Sequence, residues 1–183
     1  MSKKIGVLVG SLRKDSFNKK VAQEIINLLP EGFEGEFVEI GQLPFYNEDI
    51  DQGNPPQEYV DFREQLGKYD GFLFQTPEYN RSTTGVLKNA LDVGSRPYGE
   101  SKWTGKPAAV FSASPGAYGG FGANHHLRQT LSFFDMPTMG QPEVYLGSVM
   151  GSFDEEGNVN ERTKGFLKAA AEALAAHVEK NSK

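Results

Sequence analysis

Five apolar runs recur along the chain, and most are followed by a stretch of helical periodicity. The first, "IGVLVG" at 5–10, is continuous rather than alternating, the pattern of a strand buried on both faces. After it, Phe17, Val21, Ile25 and Leu28 recur at helical spacing, with Ser16 or Asp15 placed to cap the helix start. "EFVEI" at 36–40 predicts a weaker strand, at an edge of the sheet. A polar loop follows, and Pro56 is placed as the first residue of a helix whose stripe is Tyr59, Phe62, Leu66 and Tyr69. "DGFLFQT" is a second buried strand, and "TGVLKNALDVG" a helix ending at Gly94. "PAAVFSAS" is a third buried strand. Leu127, Leu131 and Phe134 mark the next helix, "EVYLGS" the last strand, and "ERTKGFLKAAAEALAAHVEK" a final helix of high propensity.

Strand followed by helix, five times over, predicts an α/β fold with a doubly wound parallel sheet and helices on both faces, because each crossover is right-handed. Five strands in a chain of this length fit the flavodoxin-like order 2-1-3-4-5. No repeat or linker divides the sequence, so residues 1–183 are expected to form one domain. Such sheets bind ligands beyond the carboxyl ends of their strands, at the switch in strand order. The loops after strands one, three and four should therefore converge. They are "GSLRKDSFN", "TPEYNRSTTG" and "SASPGAYGGFG".

Composition narrows the chemistry. With 38% hydrophobic and 23% charged residues the chain is globular, and a net charge of -5 argues against nucleic-acid or anionic-membrane partners. Cysteine is absent, which excludes disulfides, thiolate catalysis and thiolate metal sites. The apolar run near the N-terminus is shorter than a signal-peptide core, and no run is long enough to span a bilayer, so a cytoplasmic location is expected.

The first loop puts Ser11, Arg13, Ser16 and Asn18 at a helix start, where free N–H groups and the helix dipole suit a phosphate. It contains neither a Walker motif nor G-x-G-x-x-G. An ordinary capped helix with a solvated arginine is the alternative. The second loop carries Pro77, a carboxylate, a ring and an amide in succession, a mix able to flank a flat heteroaromatic ligand; a turn with Tyr79 over a helix end is its alternative. The third loop has four glycines in "SPGAYGGFG". They permit close backbone approach to a ligand or a flexible lid.

Together, "GSLRKDSFN", "PEYNRSTTGVLKNALD" and "SPGAYGGFGANHHLRQTL" resemble, in order and spacing, the NADPH-dependent FMN reductase family, which includes quinone, azo-dye and chromate reductases. The resemblance covers nearly the whole chain. It implies bound FMN, with the phosphate on Ser11, Arg13, Ser16 and Asn18 and with Phe17 backing the loop. It places the isoalloxazine against Pro77, Glu78, Tyr79 and Asn80, and closes the other edge with Ser112, Ser114 and Gly116. It implies NADPH or NADH as hydride donor, small-molecule acceptors such as quinones, azo compounds or metal oxyanions, and a homodimer or homotetramer. No side chain need act as nucleophile or base. Arg81 and Arg96 are candidates for the 2′-phosphate of NADPH. A reduced flavin would repel a carboxylate, so the Glu78 side chain should turn toward a basic group or a neighbouring subunit, with Tyr79 on or beside the ring. The chain departs from the family pattern at Thr84-Gly85, where Pro-Gly is common, at Val93, where tryptophan often follows the aspartate, and at Ala113.

Other features carry less. His125 and His126 are adjacent on a helix and point about 100° apart, which does not favour a shared metal. "DEEGNVNE" lacks calcium-loop spacing and reads as a turn. Tyr46, Tyr59, Tyr98, Trp103 and Tyr118 are candidate interface aromatics. A receiver domain is excluded, since no acidic pair follows the first strand. A flavodoxin-type electron carrier or a non-catalytic flavin-binding redox sensor on the same fold remains the alternative to a reductase.

Overall fold

The computed structural model describes residues 2–182. Five parallel strands, β1 (Lys3–Val9), β2 (Phe33–Phe37), β3 (Gly71–Thr76), β4 (Ala108–Ala113) and β5 (Val144–Leu146), form one sheet in the order β2-β1-β3-β4-β5. The flavodoxin-like topology expected from the alternation of strands and helices is the one observed. The helices are α1 (Phe17–Asn27), a short α2 (Glu48–Asp51), α3 (Gln57–Gly67), α4 (Gly85–Gly94), α5 (Phe121–Phe133) and α6 (Glu161–Asn181).

Strand alternation divides the apolar residues into two cores. Ile5 and Val7 face one side with Leu73 and Phe111, and α1 and α6 cover them through Val21, Ile25, Leu167 and Leu174. Leu8, Phe72 and Phe74 face the other, under Leu66 of α3, Leu87 and Leu91 of α4 and Leu127 of α5. Because β3 and β4 are buried along their whole length, they read as unbroken apolar runs.

The register positions the site. Val9 pairs with Gln75, Gln75 with Phe111, and Thr76 with Ser112. The three central strands thus end at one level, and their exit loops meet above it.

Four local readings change. β2 lies earlier than 36–40: Val38 and Ile40 follow it, and their alternation reflects burial against the α3 and α4 core. Pro56 is the N-cap of α3 rather than its first residue. Gly94 does end α4, but for a packing reason, since a Cβ there would lie 2.6 Å from the Trp103 ring. Trp103 and Tyr59 are fully buried, with Trp103 donating Nε1–H to the Leu91 carbonyl at 2.9 Å. Neither can serve an interface, because the core under α3 and α4 consumes both.

Candidate functional site

The three exit loops enclose a cleft of about 230 Å³. Nine residues expected from the sequence line it: Ser11, Arg13, Ser16, Phe17 and Asn18 from the first loop, Pro77, Glu78 and Tyr79 from the second, and Ser114 from the third. Ala113, Pro115 and Val149 complete the wall.

Loop one is built to accept an anion. Ser16 caps α1 in an extended conformation and accepts the Lys19 N–H on its Oγ at 3.2 Å. That leaves the N–H groups of Phe17 and Asn18, the first two of the helix, without an acceptor among the described residues. The N–H groups of Ser11, Leu12 and Arg13 are also unpaired there. Arg13 is exposed and forms no ion pair among the described residues. Open N–H donors, two hydroxyls and a free guanidinium, contributed by residues that line one cleft or adjoin it in the chain, are the donor set of a phosphate site. The residues present therefore fit a phosphorylated cofactor.

Asn18 holds that loop in place. Its buried amide donates to the Ala113 carbonyl at 3.1 Å and accepts from Gln75 Nε2 at 2.8 Å. The helix start is thus tied to the ends of both β4 and β3. Its side chain is first a strut of the cleft floor, and its backbone N–H is the group left open.

The second loop is tied to α5. The N-cap of α5, Gly120, has no side chain to offer. Glu78 takes that role: its Oε2 accepts the Ala123 N–H at 3.2 Å, and Oε1 lies 3.9 Å from Arg81 Nη1. The carboxylate is directed at a helix N-terminus and a basic group. Tyr79 is half exposed on the cleft wall.

Three expected residues are not among those lining this cleft. Asn80 is exposed at the tip of the turn that follows Tyr79. Ser112 points into the protein, donating to Val144 O and accepting from Asn124 Nδ2, both at 3.4 Å. Gly116 sits on the outer surface, where its carbonyl accepts the Ser148 N–H at 3.0 Å. Gly119 of the third loop serves the fold: it has φ +60, and a Cβ there would lie 2.6 Å from the Tyr145 carbonyl carbon. Val149 was not foreseen. It comes from a 3-10 turn (Val149–Ser152) after β5, held by its N–H to Ser114 O at 3.1 Å, and that pairing has no local sequence signature.

The two histidines have separate partners. His126 Nδ1 lies 2.8 Å from Ser82 Oγ, and His125 Nε2 lies 3.1 Å from the Tyr145 hydroxyl. Burial, followed by its bond to Glu143, pushes the Tyr145 phenol up from the usual range.

A doubly wound parallel sheet with a phosphate-accepting cleft at the switch between β1 and β3 defines a flavodoxin-like nucleotide-binding protein. Comparison with known proteins narrows the class. The chain belongs to the NADPH-dependent FMN reductase family, whose model matches residues 3–151. It is 53% identical over 177 residues to a quinone reductase of Pseudomonas putida, covering 97% of this chain and 95% of that one. It is 46% identical over 179 residues to a 2-hydroxy-1,4-benzoquinone reductase of Burkholderia sp, covering 97% of both chains. A solved structure, the flavoenzyme NAD(P)H:(acceptor) oxidoreductase FerB of Paracoccus denitrificans, superposes with a TM-score of 0.91 at 37% identity, covering 99% of this chain and all of that one.

Proposed function

We propose that this cleft makes the chain an FMN-dependent NAD(P)H:quinone oxidoreductase. The observation that carries the proposal is the set of unpaired N–H groups of the first loop, gathered with Arg13 around one cavity. When bound, FMN supplies the chemistry, taking two electrons as hydride from NAD(P)H and giving them to a quinone or similar oxidised acceptor. The protein supplies position and field. The α1 N-terminus and Arg13 hold the phosphate, with Ser11 and Ser16 as further donors and Phe17 behind them. Pro77 and Tyr79 form the wall for the flat ring system, and Ala113, Ser114 and Pro115 form the facing edge. Glu78 keeps its charge on α5 and so leaves the cleft free of an unpaired carboxylate. We assign the chain to the cytoplasm, where its reduced nucleotide donor is available. No helix among the described residues is long and apolar enough to cross a membrane.

Donor and acceptor would use one cleft in turn, so initial rates at varied quinone and several fixed NADPH concentrations should give parallel double-reciprocal lines. Intersecting lines, or no NAD(P)H oxidation with any quinone, would overturn the scheme. An electron carrier would instead show one-electron exchange with protein partners and negligible quinone turnover.

We further propose a homodimer or homotetramer. Tyr98 and Phe133 are 92% and 85% exposed, and with Arg96 and Phe134 they border a surface depression of about 580 Å³. Two large, exposed aromatic rings beside one depression are what a neighbouring subunit would cover. Light scattering at micromolar concentration should give at least twice the chain mass, and Phe133→Glu should lower it; a monomeric wild type would refute the assembly.

A further inference from the structure

The turn after Tyr79 is closed by two reciprocal bonds, Tyr79 N–H to Ser82 O and Ser82 N–H to Tyr79 O, each 3.0 Å. Both central residues are left-handed, with φ 52 at Asn80 and φ 68 at Arg81. This is the geometry of a type I′ turn, which tolerates asparagine at its first central position and favours glycine at its second. A long side chain at the second position is strained, and such strain marks positions held for another purpose.

Packing does not supply that purpose. The Arg81 side chain is 81% exposed. Its carboxylate neighbour, Glu78, is 3.9 Å away and is already bonded to the α5 N-terminus. What the position does supply is an exposed guanidinium two residues beyond Tyr79, which lines the cleft, and 5.9 Å from the ring of Tyr118. Tyr118 is itself 74% exposed on the third loop. A free planar fork suits a phosphate, and an exposed aromatic face beside it suits a purine. Within one chain Arg96 offers no equivalent, because it borders the depression around Tyr98 rather than the cleft.

We infer that Arg81 is the residue that selects NADPH over NADH, by binding the phosphomonoester on the adenosine ribose, with Tyr118 beside it as the surface for the adenine. The inference rests on the reading of the cleft as a reductase site, since NADPH and NADH differ only in that phosphate. The strain at Arg81 is then the cost of placing a cation where the turn alone would select glycine.

The test uses calorimetric binding of adenosine 2′,5′-bisphosphate and of 5′-AMP to the FMN-loaded protein, for wild type, Arg81→Lys and Arg81→Gly. Wild type should bind the bisphosphate about 10- to 100-fold more tightly than 5′-AMP. Arg81→Gly should bind the two alike and melt no lower than wild type, because glycine relieves the left-handed residue. Arg81→Lys should retain part of the preference. The inference is overturned if wild type shows no preference, or if Arg81→Gly keeps it. It is equally overturned if Arg81→Gly loses affinity for both nucleotides together and melts lower, which is the signature of a loop tie. Should wild type oxidise no NAD(P)H with any quinone while the preference still vanishes in Arg81→Gly, the reductase reading falls and the phosphate site stands.

Discussion

Asp51→Ala should destabilise the protein by about 3–5 kcal/mol, the cost of stranding a buried charge. Arg63 of α3 and Asp51 of α2 form a two-pronged pair, with both N···O distances at 2.7 Å and side chains only 8% and 6% exposed. Arg63 Nε also donates to the Val93 carbonyl at 2.9 Å, and its guanidinium lies 5.3 Å from the Tyr59 ring. Three elements, α2, α3 and α4, meet on this one side chain. Removing the carboxylate leaves the guanidinium desolvated with half its partners. Against a total folding free energy of roughly 5–15 kcal/mol, the loss is large. The double variant Asp51→Ala/Arg63→Met should recover much of it, because an apolar chain of similar length needs no counter-charge. Urea unfolding with an unchanged m-value is the measurement. A loss below about 1 kcal/mol for Asp51→Ala, the range of an exposed pair, would show that the pair is solvated.

Arg13→Ala should emerge from purification largely free of flavin. A charge-assisted bond to phosphate contributes about 1.5–3 kcal/mol, so FMN affinity of the apoprotein should fall roughly 10- to 150-fold, read from quenching of flavin fluorescence. Riboflavin, which has no phosphate, should bind wild type and variant equally. Folding stability should hardly change, because Arg13 is exposed and makes no ion pair among the described residues. Wild-type affinity for FMN in Arg13→Ala, or an equal loss for riboflavin, would remove Arg13 from the phosphate site.

The two variants separate two kinds of arginine that look alike in the sequence. Arg13 sits in a run of polar residues between a strand and a helix, and such a run has a local physical meaning: a helix N-terminus leaves N–H groups open. Arg63 sits on an ordinary helix with acidic neighbours and reads as a solvated charge. Nothing within several residues of it announces that Asp51, twelve positions earlier, folds back onto it.

The order of elements, the parallel sheet and most of the cleft follow from the sequence by itself. Unbroken apolar runs and apolar stripes of period 3.6 are local signals, and the handedness of crossovers turns their order into a topology. Once the topology is given, the exit loops of β1, β3 and β4 must meet, and the family resemblance then named the nine lining residues within them. Only the tertiary structure decided how those loops fill space. It turned Ser112 inward onto Val144, set Gly119 against the β5 backbone, sent Glu78 to the α5 N-terminus and brought Val149 into the wall. It also buried Trp103 and Tyr59 where a surface role was expected. In each case the deciding contact joins segments far apart in the chain, through close packing and the pairing of buried polar groups, and local pattern holds no record of such contacts.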